Sequence, residues 1–152
     1  MATYYRLQTM YRKGFFPFLL LLLLAACGES HEQMLRQLEE LEGMNRAYEP
    51  LTNDSLDKQL ANWFDLHGSA NERMRAHYIL GRTYADLGEA PRAADAYLDA
   101  ASQADTMAED CDYRTLGCIY SQIGDVYYRQ LLLSHVIDAR KKSYYCTYAT
   151  LH

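Results

Sequence analysis

The side chains best suited to covalent or metal chemistry in this chain are its four cysteines, Cys27, Cys111, Cys118 and Cys146. No C-x-x-C, H-E-x-x-H or similar spacing occurs among the cysteines and the scattered histidines, so the sequence indicates no metal site. Cys111 and Cys118 would lie about 10 Å apart along one helix, whereas a disulfide tolerates a Cα separation of about 7 Å. We expect three small buried hydrophobic residues, with a Cys118–Cys146 disulfide across a helical hairpin as the alternative.

Cys27 differs from the other cysteines because it follows a short apolar segment, FFPFLLLLLLAA at 15–26, which is preceded by basic residues. A basic start, a short apolar core and a small-residue end are typical of a secretory signal peptide. The apolar run is shorter than the roughly 20 residues that span a bilayer. The residues LAAC at 24–27 resemble the bacterial lipobox, after which the chain is cut and the new N-terminal cysteine is acylated. An N-terminal membrane anchor or a secreted protein without lipid is the alternative.

The lipobox resemblance implies that residues 1–26 are a lipoprotein signal peptide and that Cys27 carries two or three acyl chains. Each buried methylene contributes about 0.8 kcal/mol, so two or more chains give stable anchoring. We therefore expect the protein to be lipid-anchored in the cell envelope. The candidate locations are the outer membrane, the inner membrane facing the periplasm, and the cell surface.

The segment beyond the expected cleavage site is acidic. Three of the 15 Lys and Arg residues lie in the first 26 residues, which leaves 12 against 20 Asp and Glu, a net charge of −8. This balance argues against nucleic acid as a partner, since a phosphate backbone requires clustered Lys and Arg. The abundance of Ala, Leu, Glu, Arg and Tyr, with few Val and Ile, predicts an all-α protein.

Apolar spacing and capping residues predict six helices. Asn53 can cap the second helix, Gly68 can end it in a left-handed conformation, and Pro91 fits the first turn of the fourth. The short loops predict that consecutive helices pack as antiparallel neighbours. The predicted helices cover 32–47, 55–66, 71–87, 91–104, 109–131 and 134–148.

The clearest motif lies in residues 74–107, MRAHYILGRTYADLGEAPRAADAYLDAASQADTM. It resembles the tetratricopeptide repeat (TPR), a helix–turn–helix of 34 residues. The resemblance implies that small residues allow close helix crossings while larger ones fill the space between them. It implies antiparallel hairpins that form a short right-handed solenoid. Two positions depart from the family pattern, with His77 where Trp is frequent and Asp105 where Pro is frequent. The repeat-packing residues are Leu80, Gly81, Tyr84, Ala93, Tyr97 and Ala100.

A degenerate second repeat covers about 117–150, with Ile123-Gly124 and Tyr127 at the matching positions. An alternative register places Leu116-Gly117 there. Residues 34–67 form a further helical pair. The expected organisation is therefore a signal peptide at 1–26, a tether and first helix at 27–53, and TPR-like repeats at 54–150. The whole is similar to TPR lipoproteins of the Bacteroidota.

TPR partners usually bind a groove lined by the first helix of each repeat, and the resemblance places two sets of residues there. Two arginines beside a tyrosine could hold a peptide carboxylate, because guanidinium pairs with it bidentately. The alternative is a solvated face in which Arg82 and Asp86 form an ordinary i,i+4 pair. The first set is Arg75, Tyr78, Arg82 and Asp86, and the second is Ser121, Asp125, Tyr128 and Arg129.

The sequence shows no nucleophile–base pair, phosphate-binding loop or paired carboxylates, so we expect neither an enzyme nor a bound cofactor. It predicts a membrane-anchored scaffold that binds an unidentified protein or peptide. The alternative is the N-terminal sensor or regulatory portion of a longer envelope signalling protein. The chain ends without a helix stop signal, which favours truncation of a longer array over a small protein covered by a partner.

Overall fold

The computed structural model describes residues 30–151, so the predicted signal peptide and Cys27 lie outside the described residues. The chain divides into two compact units, residues 1–33 and 34–152, and the packing described below is that of the second. The described residues are all-helical and contain no strand, which confirms the predicted class. The six helices are α1 (His31–Arg46), α2 (Asp54–His67), α3 (Ala70–Asp86), α4 (Ala90–Gln103), α5 (Tyr113–Arg129) and α6 (Leu133–Ala149).

Five of the six helices begin and end within one residue of the predicted limits, and local signals explain the starts of three of them. The Asn53 side chain accepts a hydrogen bond from the Leu56 N–H at the start of α2. Ser69 and Glu72 form a reciprocal capping box at the start of α3. Pro91 lies in the first turn of α4, where its missing N–H is not needed.

The start of α5 differs from the prediction. The helix begins at Tyr113 rather than near residue 109, because Asp112 caps it by accepting a hydrogen bond from the Thr115 N–H. The Asn71 side chain holds the preceding turn from α3, since its Nδ2 donates to the Asp110 carbonyl (2.7 Å) and its Oδ1 accepts from the Asp112 N–H (3.0 Å). The boundary therefore depends on a local cap and on a contact with a distant helix.

Two further expectations about single residues are wrong. Gly68 ends α2 in an extended conformation (φ −90°, ψ 157°), not a left-handed one. A Cβ at Gly68 would lie 2.8 Å from the Phe64 carbonyl oxygen, so close approach rather than backbone conformation requires glycine. The three cysteines are not all buried, since Cys118 is exposed and Cys111 half-buried, and within the described range Cys111, Cys118 and Cys146 are free thiols.

The helices pack in two close hairpins, α3–α4 and α5–α6, with α2 against α3 and α5 against both α3 and α4. Residues 34–46 of α1 contact α3 through long side chains instead of forming a close hairpin with α2. The core draws on every helix, but α6 contributes only two buried residues. The largest fully buried side chains of the core include Tyr97, Phe64, Met34, Leu38, Leu60, Met74, Ile79, Leu116 and Ile119.

The two hairpins correspond to one another at an offset of 43 residues. Helices α3 and α5 run from 70 to 86 and from 113 to 129, and α4 and α6 begin at 90 and 133. Gly81 lies against Tyr97, and Gly124, 43 residues later, lies against Arg140, which is 43 residues after Tyr97. The described chain is therefore helical and repeat-like, in the register that pairs Gly81 with Gly124.

Helices α1, α3 and α5 end in the same kind of turn. In each, the second residue after the helix has a positive φ: 59° at Tyr48, 77° at Gly88 and 59° at Leu131. Only glycine adopts this conformation without steric cost. Each turn is closed by an amide that donates to a carbonyl five residues earlier, in the pairs Glu49–Met44 (3.0 Å), Glu89–Tyr84 (2.8 Å) and Leu132–Tyr127 (3.0 Å).

Candidate functional site: a partner-binding face on α3 and α5

The first predicted groove residue, Arg75 on α3, is bound within the chain. Its Nε lies 2.6 Å from Glu42 Oε1 and its Nη2 lies 2.8 Å from Glu42 Oε2, so the two side chains form a bidentate pair. Both side chains are largely buried, at 20% and 15% exposure. The hydrogen bond with Glu42 raises the pKa of Arg75. Arg75 thus already holds a carboxylate, which comes from α1.

Arg82 and Asp86 connect three parts of the chain. Arg82 Nε donates to Asn45 Oδ1 on α1 (3.0 Å), and Arg82 Nη1 donates to Gln122 Oε1 on α5 (3.4 Å). Arg82 Nη2 donates to Asp86 Oδ1 (3.2 Å). This is the i,i+4 pair predicted from the sequence as the alternative to a peptide-binding role. Asp86 Oδ2 accepts from the Leu51 N–H (3.0 Å), in the loop between α1 and α2.

Tyr78 completes the first set and is half-buried. Its ring centroid lies 6.1 Å from that of Tyr97 at an interplanar angle of 37°. Burial raises the pKa of Tyr78, and burial raises the pKa of Tyr97 to about 12. The four side chains of the first set therefore lie together on one face of α3, with three of them bound to residues of α1, its following loop or α5.

The side chains of the second set, on α5, are more exposed to solvent than those of the first set. Arg140 on α6 donates to Ser121 Oγ (2.8 Å) and to Asp125 Oδ1 (2.5 Å). The Arg140–Asp125 pair is about half exposed on both sides. Tyr128 is 62% exposed, and Arg129 is exposed beside it. Arg140 was not among the predicted site residues, although the 43-residue offset from Tyr97 identifies its position.

The residues predicted to pack the clear repeat are buried at the α3–α4 crossing. Ala93 and Tyr97 are 1% exposed and Ala100 is fully buried, while Leu80 and Tyr84 are at most 9% exposed. A Cβ at Gly81 would lie 2.5 Å from Tyr97 Cδ1. The Tyr97 ring thus occupies the space that a side chain at position 81 would need.

Sequence reasoning missed a buried polar pair at the α2–α3 contact. Thr83 Oγ1 donates to Asp57 Oδ2 (2.5 Å), and both residues are at most 1% exposed. Asp57 Oδ1 is buried without a hydrogen-bond partner, and burial raises the pKa of this carboxyl. An Asp one turn before Leu60, on a helix with an apolar face, was the signal available in the sequence.

A groove between α5 and α6 was also missed. It encloses about 510 Å³, and we name it the α5–α6 groove. Its lining comprises Arg114, Gly117, Cys118, Ser121, Ser143, Thr147 and Thr150. Ser121 belongs to both this groove and the second predicted set.

Among residues 30–151, no three His, Cys, Asp or Glu side chains converge as a metal site. In the same part of the chain, no helix combines the length and apolar character needed to cross a membrane. Comparisons of the chain with protein-family models, with curated proteins and with solved structures found no match.

Proposed function

We propose that this protein is a TPR-type lipoprotein, anchored in the bacterial envelope through lipid on Cys27, that acts as a scaffold for another protein. The observation that carries the proposal is the 43-residue correspondence between the α3–α4 and α5–α6 hairpins. Stacked hairpins of this kind present a row of helices along one face, and repeat proteins use such extended faces for binding. The lipobox resemblance of residues 24–27 supports the anchor.

The contacts of the two predicted sets favour α5 over α3 as the partner-binding helix. Arg75, Arg82 and Asp86 stabilise the packing of α1 and its loop, so their replacement would disturb the fold as well as a binding face. Tyr128 and Arg129 are exposed at the end of α5. Exposed aromatic and arginine side chains are frequent energetic centres of protein interfaces.

The lipid anchor is tested by growing cells with radiolabelled palmitate, with and without an inhibitor of lipoprotein signal peptidase. We expect label on the wild-type protein, none on Cys27→Ser, and an unprocessed precursor in the inhibited cells. Equal labelling of wild type and Cys27→Ser would contradict the anchor.

Partner binding is tested by crosslinking the full-length protein in the native envelope and purifying its adducts. We expect the double variant Tyr128→Ala, Arg129→Ala to lose most of the adduct, since it removes the exposed groups of α5. The matched control removes an exposed charged and an exposed apolar residue from α4, in Asp95→Ala, Leu98→Ala. Equal loss in both variants, or in neither, would reject the α5 face.

A further inference from the structure

The α5–α6 groove corresponds to a surface that the chain itself covers one hairpin earlier. Each of its seven lining residues lies 43 positions after a residue of the α3–α4 hairpin or of the turn that follows it, at 71, 74, 75, 78, 100, 104 and 107. All of these earlier positions except the exposed Met107 are buried or half-buried. Helix α5 packs on that earlier hairpin, where Met74 and Ala100 are fully buried. The chain thus contains its own example of what occupies such a surface, namely the next helix, α5, with Glu42 of α1 on Arg75 at its edge.

The position of Arg114 indicates how that helix would begin. In the earlier hairpin, the corresponding Asn71 binds the carbonyl of Asp110 and the amide of Asp112, in the turn that leads into α5. The Arg114 side chain offers only donors, and within residues 30–151 it forms neither an ion pair nor a hydrogen bond. A carboxylate in the turn that starts a docked helix would satisfy it with a bidentate, charge-assisted pair.

The rest of the lining indicates which groups follow along the helix. Ser143 and Thr147 stand where the earlier hairpin has Ala100 and Ala104. Ser143 Oγ donates to the Gly117 carbonyl (2.9 Å), and Thr147 Oγ1 donates to the Ser143 carbonyl (3.1 Å). With their protons used in this way, both hydroxyl oxygens remain as acceptors facing the groove. A docked helix would therefore place amide, hydroxyl or ammonium donors opposite them.

We propose that the α5–α6 groove binds an amphipathic helix of a partner protein, with Asp or Glu in the turn that begins the helix and side-chain donors along its contact face. This inference rests on the proposed scaffold function and names the part of the partner that is recognised. The helix takes the place on α5 and α6 that α5 takes on α3 and α4. Its carboxylate pairs with Arg114, and its donors meet Ser143 and Thr147.

The test uses full-length protein in living cells, with the photo-crosslinking residue benzoylphenylalanine at position 147 in the groove. The same residue at the exposed position 98 on α4 is the matched control. Mass spectrometry of the adducts identifies the crosslinked segment, which is then synthesised as a peptide. Its affinity is measured for the wild type, Arg114→Glu and Arg46→Glu, the last making the same charge change on α1.

We expect position 147, and not position 98, to crosslink a helical segment of another protein that starts with Asp or Glu. Arg114→Glu should weaken the peptide at least tenfold, Arg46→Glu should leave it unchanged, and exchanging the peptide's acid for Lys should restore binding to Arg114→Glu. A crosslink to a second copy of this chain, or a segment without that acid, would overturn the inference. If partner crosslinking elsewhere survives Arg114→Glu while position 147 gives no adduct, the groove fails but the scaffold function stands.

Discussion

Gly81 on α3 lies against the aromatic ring of Tyr97 on α4, so that a Cβ at position 81 would lie 2.5 Å from the ring atoms Cδ1 and Cε1. Tyr97 is 1% exposed and packed on all sides, so its ring cannot move aside cheaply. A Cβ at the corresponding Gly124 would lie 3.2 Å from Arg140 Nε, and Arg140 is a long, exposed side chain. A side chain at position 81 would therefore clash with a buried ring, whereas a side chain at position 124 would contact a side chain that can move.

Gly81→Ala is expected to lower the free energy of unfolding by about 1–3 kcal/mol, the usual cost of overpacking a core. Gly124→Ala is its matched control, because Arg140 can shift by a few tenths of an ångström. Alanine also favours a helix interior over glycine by about 1 kcal/mol. Gly124→Ala should therefore be neutral or stabilising. Urea unfolding of the two variants measures the difference, and equal destabilisation would show that the Tyr97 contact is not the cause.

The turn after α5 carries a leucine where the turn after α3 carries a glycine. Leu131 has φ 59° and is 78% exposed, so it bears a backbone cost without contributing much burial. Leu131→Gly is expected to raise the free energy of unfolding by up to about 1 kcal/mol, because the strained conformation costs an L-residue about 1–2 kcal/mol and the added freedom of the unfolded chain offsets part of it.

Gly88→Ala is the reverse experiment. A Cβ at Gly88, with φ 77°, would meet no atom within 4 Å, so any effect comes from the backbone alone. We expect a loss of about 1 kcal/mol, measured as a lower urea midpoint with an unchanged slope. A stabilised Gly88→Ala variant would contradict the positive φ shared by the two turns.

Local signals in the sequence were sufficient to place most helices but not the contacts between them. Asn53 and Pro91 act on their own helix ends, so the sequence placed those ends to within a residue. The Ser69 capping box is equally local, although it was not among the predicted caps. At the start of α5 the Asp112 cap is a local signal, but the contact of Asn71 with the Asp110 carbonyl spans 39 positions and no local pattern reveals it. Arg75 pairs with Glu42 across 33 positions, and residue spacing does not predict this contact either.

The bidentate Arg75–Glu42 pair is expected to hold α1 on α3. Glu42→Gln should lower the free energy of unfolding by about 1–3 kcal/mol, since it leaves a largely buried guanidinium without its charged partner. Hydrogen exchange should increase most in residues 34–46. Glu40→Gln is the matched control, because Glu40 is exposed on the same helix. Equal exchange in the two variants would show that the pair does not hold α1.

Asp57 is expected to make the protein less stable as the pH rises. Burial raises the pKa of this carboxyl in the folded state, whereas the unfolded chain has a pKa of about 3.9. Between those two values the folded protein keeps a proton that the unfolded chain has released, so the free energy of unfolding falls as the pH rises through this window. Asp57→Asn removes the titration, and its amide oxygen can still accept from Thr83 Oγ1.

The Asp57→Asn variant should therefore be more stable than the wild type at pH 7, and the advantage should shrink as the pH falls toward 4.

Asp54, one turn earlier, is expected to change the free energy of unfolding with pH in the opposite direction, because its hydrogen bond with Lys58 lowers the pKa of Asp54. The ionised Asp54 stabilises the folded state above the pKa of the unfolded chain, and this stabilisation is lost in acid. Asp54→Asn should therefore lower the free energy of unfolding at pH 7 but not at pH 3. Urea unfolding of the two variants across pH 3–8 distinguishes the effect of Asp57 on the free energy of unfolding from that of Asp54. A wild-type advantage over Asp57→Asn that grows with pH would mean that the buried carboxylate stabilises the α2–α3 contact in its charged form.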